Sequence, residues 1–283
     1  MNETISASRA GTIAIGGDLR VARMGFGAMR LCGQGVWGWP KDRESALAVL
    51  RRAVDLGVNF IDTADAYGPG VNEEQIAQAL HPYPSDLVIA TKGGSTRSGP
   101  GQWSRDCRPE RLKQTCEESL RRLKLETIDL YQLHAVDAKL PYVEQIGALY
   151  ELQSAGKIRH IGVSNVTVEQ LRAARSVATI ASVQNRYNLS ELESQPVLDI
   201  CERGGLVFIP WFPLNAGDID QNLNLKKIAH DKNLTPWQIA LAWLIFRSPA
   251  ILPIPGTSSI AHLEENVAAV GVDLTAAQLE KLA

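Results

Sequence analysis

The feature that most constrains the fold is an alternation. Eight short runs rich in β-formers, residues 24–29, 59–65, 87–92, 128–134, 158–164, 181–185, 206–211 and 251–256, are separated by segments whose apolar residues recur at helical spacing. Among the separating segments are ESALAVLRRAVDLG, RPERLKQTCEESLRRLK and TVEQLRAARSVA. Strands that alternate with helices predict a parallel sheet, because parallel neighbours need a crossover. A chain of 283 residues is close to the roughly 250 typical of one eight-fold barrel. The expectation is an α/β chain, a (β/α)8 barrel, in one domain over residues 1–283. TIAI and LRVA around Gly16-Gly17-Asp18 predict a β-hairpin ahead of the barrel, and a short helix is expected at the C-terminus. Pro109 sits at a first-turn position, and Gly57 and Gly156 sit where helices end.

Charge and cysteine content narrow the function classes. A formal charge of -2 offers no electrostatic attraction to nucleic acid or to an anionic membrane. The longest apolar run, Ile239 to Phe246, is far shorter than the roughly 20 residues a membrane helix needs, and MNETISASRAG has no apolar signal core. The reading is a soluble, cytoplasmic protein with a small-molecule partner and no nucleic-acid or membrane partner. A monomer fits this reading, and the oligomeric state stays open. Cys32, Cys107, Cys116 and Cys201 contain no C-x-x-C pair and read as free thiols. The histidines at 81, 134, 160, 230 and 262 form no H-x-H or H-E-x-x-H, so no metal is expected.

Barrel chemistry sits where strands end and the following loops begin. At those ends this chain places Asp62, Lys92, His134, Ser164 with Asn165, Gln184 with Asn185, and Trp211. Taken singly, Asp62 could cap a helix, Tyr67 anchor a loop, Lys92 lie on a solvated rim and His134 be a core histidine. Their joint placement at consecutive strand ends points instead to acid catalysis. An unperturbed phenol titrates near ~10, and an adjacent ammonium would lower it. Lys92 can supply that charge, Asp62 can keep Lys92 protonated, and a neutral His134 can donate to the same carbonyl oxygen as Tyr67. Asp65 reads as an ordinary turn residue.

FIDTADAYG, VIATK, DLYQLH, KIRHIGVSN, VQNRYN and IPGTSSIAHLEEN follow one another along the chain. In these segments and in their order the sequence resembles the aldo-keto reductases over nearly its whole length. The resemblance implies a barrel oxidoreductase that reduces a carbonyl with a nicotinamide cofactor. Asp62, Tyr67, Lys92 and His134 match the family's catalytic tetrad, with hydride passing to the carbonyl carbon and Tyr67 protonating the oxygen. Ser164, Asn165 and Gln184 match the residues that hold the carboxamide, and Trp211 stands where a stacking Tyr is usual. Gly256, Thr257, Ser258 and Ser259 match the adenosine-phosphate site, Glu265 and Asn266 the adenine pair. Gly27, Met29, Phe212 and Leu214 fall at further cofactor-lining positions.

At the 2′-phosphate grip the chain departs from the commonest pattern at two places. Gly256 replaces the usual Lys and His262 the usual Arg that grip a 2′-phosphate, so the expected cofactor is NADPH with NADH still open. GVWG, HPYPSDLVIATKGG and PWFPLNAG look most like the bacterial pyridoxal reductases, which makes pyridoxal a candidate substrate. The G-x-G-x-x-G match in GQGVWG is followed by Trp39 and Pro40 rather than a helix, and reads as a flexible lip of the pocket. Trp37 on that lip, Trp103, Tyr67 and His134 are the expected substrate contacts, with Phe212 at the same mouth. Two other roles compete: a Schiff-base lyase using Lys92, and a nicotinamide-sensing binding protein with negligible turnover.

Overall fold

A computed structural model of the chain describes residues 5–214 and 222–282. Met1 to Thr4, part of the segment read above for a signal core, and Asn215 to Gly217 of PWFPLNAG lie outside the described residues. In chain order the elements are β1 (Thr12–Ile15), β2 (Leu19–Ala22), β3 (Phe26–Gly27), α1 (Arg43–Asp55), β4 (Phe60–Asp62), α2 (Val71–Leu80), β5 (Val88–Gly93), β6 (Ser95–Gly99), β7 (Gln102–Arg105), α3 (Pro109–Leu123) and β8 (Ile128–Leu133). There follow α4 (Tyr142–Ser154), β9 (Ile158–Ser164), α5 (Val168–Val177), β10 (Ile180–Gln184), α6 (Gln195–Gly204), β11 (Val207–Phe208), α7 (Leu223–Lys232), α8 (Pro236–Arg247), α9 (Ile260–Ala268) and α10 (Ala276–Leu282). The hairpin β1–β2 and the terminal helix α10 are where the sequence predicts them.

Seven strands form one parallel sheet in the order β3, β4, β5, β8, β9, β10, β11. The eighth run closes it. Phe208 pairs with Ile251 on one side, while Pro253 and Pro255 accept from the Gly25 and Gly27 amides on the other. Two prolines can accept from β3 but cannot donate to it, so half of that ladder is missing and the run registers only as a bridge. The hairpin β6–β7, an excursion after β5, is an element that the strand-helix alternation does not predict.

Two apolar layers hold this arrangement. Outside the sheet, helices such as α1 and α3 bury one face against the strands, while α8 is buried on all sides from Gln238 to Leu244. Inside it, Phe60, Val88, Ala90, Leu130, Val207, Ile209, Leu252 and Ile254 pack on Ile15, Leu19 and Val21 of the hairpin, which plugs the floor. Side chains two apart on a strand share a face, so the same inward rows continue upward through Asp62, Lys92, Gln132 and Gln184. The floor is greasy and the top is polar. At Gly162 an added Cβ would fall 2.4 Å from Ser182 Oγ and 2.7 Å from Gln132 Cγ, so only glycine leaves room for these two neighbours.

The turn after β4 is fastened from below. Asn72, fully buried at the start of α2, accepts from Thr63 Oγ1 at 2.7 Å and donates to Ala28 O at 3.0 Å. Buried Glu73 accepts from Thr91 Oγ1 at 2.6 Å and from Arg122 Nε at 2.7 Å. Asp65 is more than the turn residue read from sequence: it is buried, and its Oδ1 has no hydrogen-bond partner among the described residues. Burial, with the Glu73 charge next, pushes its carboxyl up to about 8. The four cysteines are free, and burial pushes each thiol up to about 12.

Asp65 therefore makes stability depend on pH. The folded chain binds its proton more tightly than the unfolded chain, where a carboxyl titrates near ~3.9. The contribution is complete below that value and is lost as pH rises through about 8. Stability is expected to fall with a slope of up to about 1.4 kcal/mol per pH unit inside this window. Asp65→Asn, which mimics the protonated acid, should flatten the slope in urea unfolding at pH 5 to 8. An unchanged slope would show that Asp65 ionises like a surface carboxyl.

Candidate active site

Lys92 organises the top of the barrel. It is fully buried at the end of β5, and its three N–H groups go to three oxygens: Asp62 Oδ2 at 2.6 Å, Thr63 O at 2.8 Å and Tyr67 OH at 3.4 Å. Asp62 reaches it because Asp62 pairs with Ala90 across β4 and β5, two residues before Lys92. Burial alone would strip the ammonium of its proton, but Asp62 and then Tyr67 outweigh it and hold the Lys92 pKa above its ordinary value. Since Lys92 donates to the Tyr67 oxygen, the phenol's own hydrogen is free to point outward.

The direction at Tyr67 differs from the sequence-based expectation. Its pKa is raised, with burial the largest cause; Lys92 opposes and Asp62 adds to the rise. The carboxylate that keeps Lys92 charged also offsets its pull on the phenol. Tyr67 is thus a protonated donor at neutral pH, and a developing alkoxide is basic enough to take that proton from an ordinary phenol.

His134 follows β8 by one residue, and its amide donates to Gly93 O at 2.9 Å. Burial first and the Lys92 charge second push its pKa well below the usual imidazole range, so the ring is neutral. Its Nδ1 is enclosed with no partner among the described residues, which favours placing the proton on Nε2, where it can be donated. Trp103, on β7 and 45% exposed, meets Tyr67 and His134 edge to face at centroid distances of 6.3 and 6.1 Å, and Tyr67 meets His134 at 5.8 Å. Trp37 pairs with Gly68, just past Tyr67. The lip that carries it is tied down rather than loose: Gly38 donates to Gly68 O and Gly68 to Val36 O.

One contributor is absent from the sequence reading. Gln132 Nε2 donates to Asp62 Oδ1 at 3.3 Å, beside Gln184 Nε2 at 2.8 Å. The alternation Leu130, Gln132, His134 within IDLYQLH was its only signal, since it sets Gln132 on the inward face.

The residues matched to a cofactor divide into those that converge and those occupied elsewhere. Ser164 Oγ donates to Gln184 O at 2.8 Å, Asn165 Nδ2 donates to Ser164 Oγ at 3.0 Å, and Trp211 Nε1 donates to Asn165 Oδ1 at 3.0 Å. This cluster sits at the ends of β9 and β10, with Phe212 edge-on to Trp211 at 5.2 Å. Gly27 and Gly256 lie back to back: a Cβ at Gly256 would meet Gly27 O at 2.4 Å, and one at Gly27 would meet Ile254 O at 2.7 Å. Gly256 is therefore forced by the packing of β3, whatever the phosphate site requires. Ser259 caps α9, accepting from the His262 amide, and its own amide donates to Thr257 Oγ1 at 3.1 Å. Ser258 and His262 are exposed, Met29 and Leu214 half-buried and Asn266 buried. The Glu265 carboxylate accepts from the Thr235 hydroxyl, so it is shared with the cap of α8. Exposed Arg30, unread in the sequence, passes within 3.6 Å of the point a Cβ at Gly256 would occupy.

A backbone cradle without side chains, a polar cluster at two strand ends and a hydroxyl-rich helix start fit a dinucleotide laid across the top of a barrel. Known proteins agree. Pyridoxine 4-dehydrogenase of Escherichia coli is 43% identical over 272 residues, covering 94% of this chain and 95% of that protein. An uncharacterized oxidoreductase of Schizosaccharomyces pombe is 45% identical over 282 residues, covering 99% and 92%. The structure of an aldo-keto reductase from Klebsiella pneumoniae in complex with NADPH superposes with a TM-score of 0.82 at 29% identity, covering 96% of this chain and 93% of that one. The profile of the aldo/keto reductase family matches residues 23–283, and the chain belongs to that family.

Proposed function

We propose that this protein reduces an aldehyde to an alcohol, with Tyr67 as proton donor and NADPH as cofactor. The observation that carries the reading is the saturated Lys92 ammonium, whose third bond leaves the Tyr67 hydrogen free to be donated. When bound, the cofactor supplies the hydride. Everything else is done by the chain. Tyr67 and neutral His134 converge on a carbonyl oxygen, polarise it and stabilise the negative charge that develops there. Tyr67 then gives up its proton, and Lys92, kept charged by Asp62, stabilises the phenolate left behind. Ser164, Asn165 and Gln184 would hold a carboxamide, and Trp211 would cover the ring.

NADPH is favoured over NADH by Thr257, Ser258 and Ser259 at the start of α9, and by Arg30 beside the same loop. The Escherichia coli relative, by its name, supports pyridoxal as the substrate. A single barrel domain completes the proposal. A cytoplasmic location is part of the proposal; no described helix is long and apolar enough to cross a membrane. The Schiff-base alternative is disfavoured because imine formation needs a neutral amine, and Asp62 holds Lys92 as an ammonium. A sensing role would not require all four tetrad positions.

Tyr67→Phe is expected to lower kcat for pyridoxal reduction by roughly 10²- to 10⁴-fold while NADPH still binds. The loss of NADPH absorbance checks it, and full activity in the variant would overturn the mechanism. Arg30→Ala should weaken NADPH binding by about five- to tenfold and leave NADH nearly unaffected, read by quenching of tryptophan fluorescence. Equal losses for both cofactors would remove Arg30 from the phosphate site.

A further inference from the structure

Arg97, on β6, has five N–H groups, and all five go to main-chain carbonyls. Nε donates to Gln102 O at 3.1 Å, Nη1 to Val36 O at 2.9 Å and Ala66 O at 3.3 Å, and Nη2 to Gly35 O at 2.6 Å and Gly99 O at 3.3 Å. These carbonyls belong to three segments: the lip, the turn that delivers Tyr67, and the β6–β7 hairpin. The guanidinium forms no ion pair with a carboxylate among the described residues, and with every donor engaged it has none left for a substrate anion.

Its flat face has a second use. The Trp103 ring lies over the guanidinium at 3.8 Å and that of Trp37 at 5.9 Å, in the geometry of cation–π contact. Trp103 is otherwise an exposed side chain on a four-residue strand, yet it is held edge-on to both Tyr67 and His134. The lip contributes a strained residue: Val36 has φ 57°, a left-handed conformation that a β-branched residue rarely adopts. That turn presents consecutive carbonyls, Gly35 and Val36, to one guanidinium. Gly101 of the hairpin also donates to Gly35 O, so the hairpin tip and the lip are bonded directly.

We propose that Arg97 is a positioning residue that sets substrate preference: it fixes Trp103 as a wall over Tyr67 and His134, and this wall selects flat aromatic aldehydes over small aliphatic ones. The proposal rests on the reductase reading above and deepens it by naming the substrate class. A planar ring set over Tyr67 and His134 meets the Trp103 indole, whose other side is backed by Arg97, and its aldehyde reaches Tyr67 and His134. A small aliphatic aldehyde reaches the same two residues without touching the wall.

The test compares benzaldehyde, 2-carboxybenzaldehyde and propionaldehyde in the wild type, Arg97→Lys, Arg97→Met and Trp103→Leu. In each variant KM for benzaldehyde should rise by about tenfold with a much smaller change in kcat, so that kcat/KM for benzaldehyde relative to propionaldehyde drops at least about fivefold. Lysine should not rescue, because it has three donors and no planar face. The Arg97→Met/Trp103→Leu double variant should lose no more than either single one, since both remove the same wall. NADPH affinity, measured on each variant, reports that the barrel is intact. An unchanged ratio, additive losses, or a loss confined to 2-carboxybenzaldehyde would overturn the proposal; the last would make Arg97 a direct anion ligand. Benzaldehyde binding to the NADP-loaded protein, followed without turnover by tryptophan fluorescence, should weaken by the same factor. That measurement separates the two readings: absent turnover with every aldehyde, alongside a binding preference that depends on Arg97, would count against the reductase alone.

Discussion

The buried pair of Lys92 and Asp62 is the interaction on which the rest of the site depends. Removing two charges from water costs several kcal/mol for each ion, and their attraction offsets this only when the remaining donors and acceptors are filled. Here they are. Lys92 fills its three N–H groups with Asp62, Thr63 and Tyr67, and Asp62 uses its second oxygen to accept from Gln184 and Gln132. The two glutamines matter because they are neutral: they satisfy the carboxylate without competing for the proton on Lys92. The consequence reaches Tyr67, whose oxygen is claimed as an acceptor and whose hydrogen is left for chemistry.

A second constraint acts at the mouth. Tyr67 arrives on a turn, not on a strand, so its position is only as definite as that turn. From below, Asn72, Glu73 and Arg122 fasten it through side-chain hydrogen bonds, and from above Arg97 binds the Ala66 carbonyl one residue before the phenol. The same guanidinium holds the lip and the hairpin. A barrel supplies rigid strand ends, and specificity comes from what the loops above them do. In this chain three loops are gathered on one side chain.

Much of this was legible before any coordinates. The parallel barrel and the leading hairpin follow from strand alternation and turn spacing, and Asp62 and Lys92, two of the proposed catalytic residues, come together because their strands are neighbours in register. The misses share a cause. Gln132 looks like one more polar residue until the neighbouring strands turn it toward Asp62. Asp65 looks like a turn former, yet it is buried beside Glu73. Arg97 carries no signal in the sequence, and the lip it binds reads as flexible. The raised pKa of Tyr67 comes first from its burial, with Lys92 opposing and Asp62 adding to the rise, and none of the three can be read from a local stretch of sequence.

The sequence by itself determined the order of the barrel strands and helices, the alternation that makes a parallel barrel, and which residue types stand at the strand ends. It could do so because periodicity and turn chemistry are local, set by backbone sterics and by which side chains avoid water. Only the tertiary structure decided protonation, the tie between lip and hairpin, and the loss of a side chain at position 256, where the Gly27 carbonyl leaves no room. Those outcomes depend on hydrogen bonds, desolvation and steric contact between residues far apart in the chain, and these act only once the barrel has closed and brought its strand ends together.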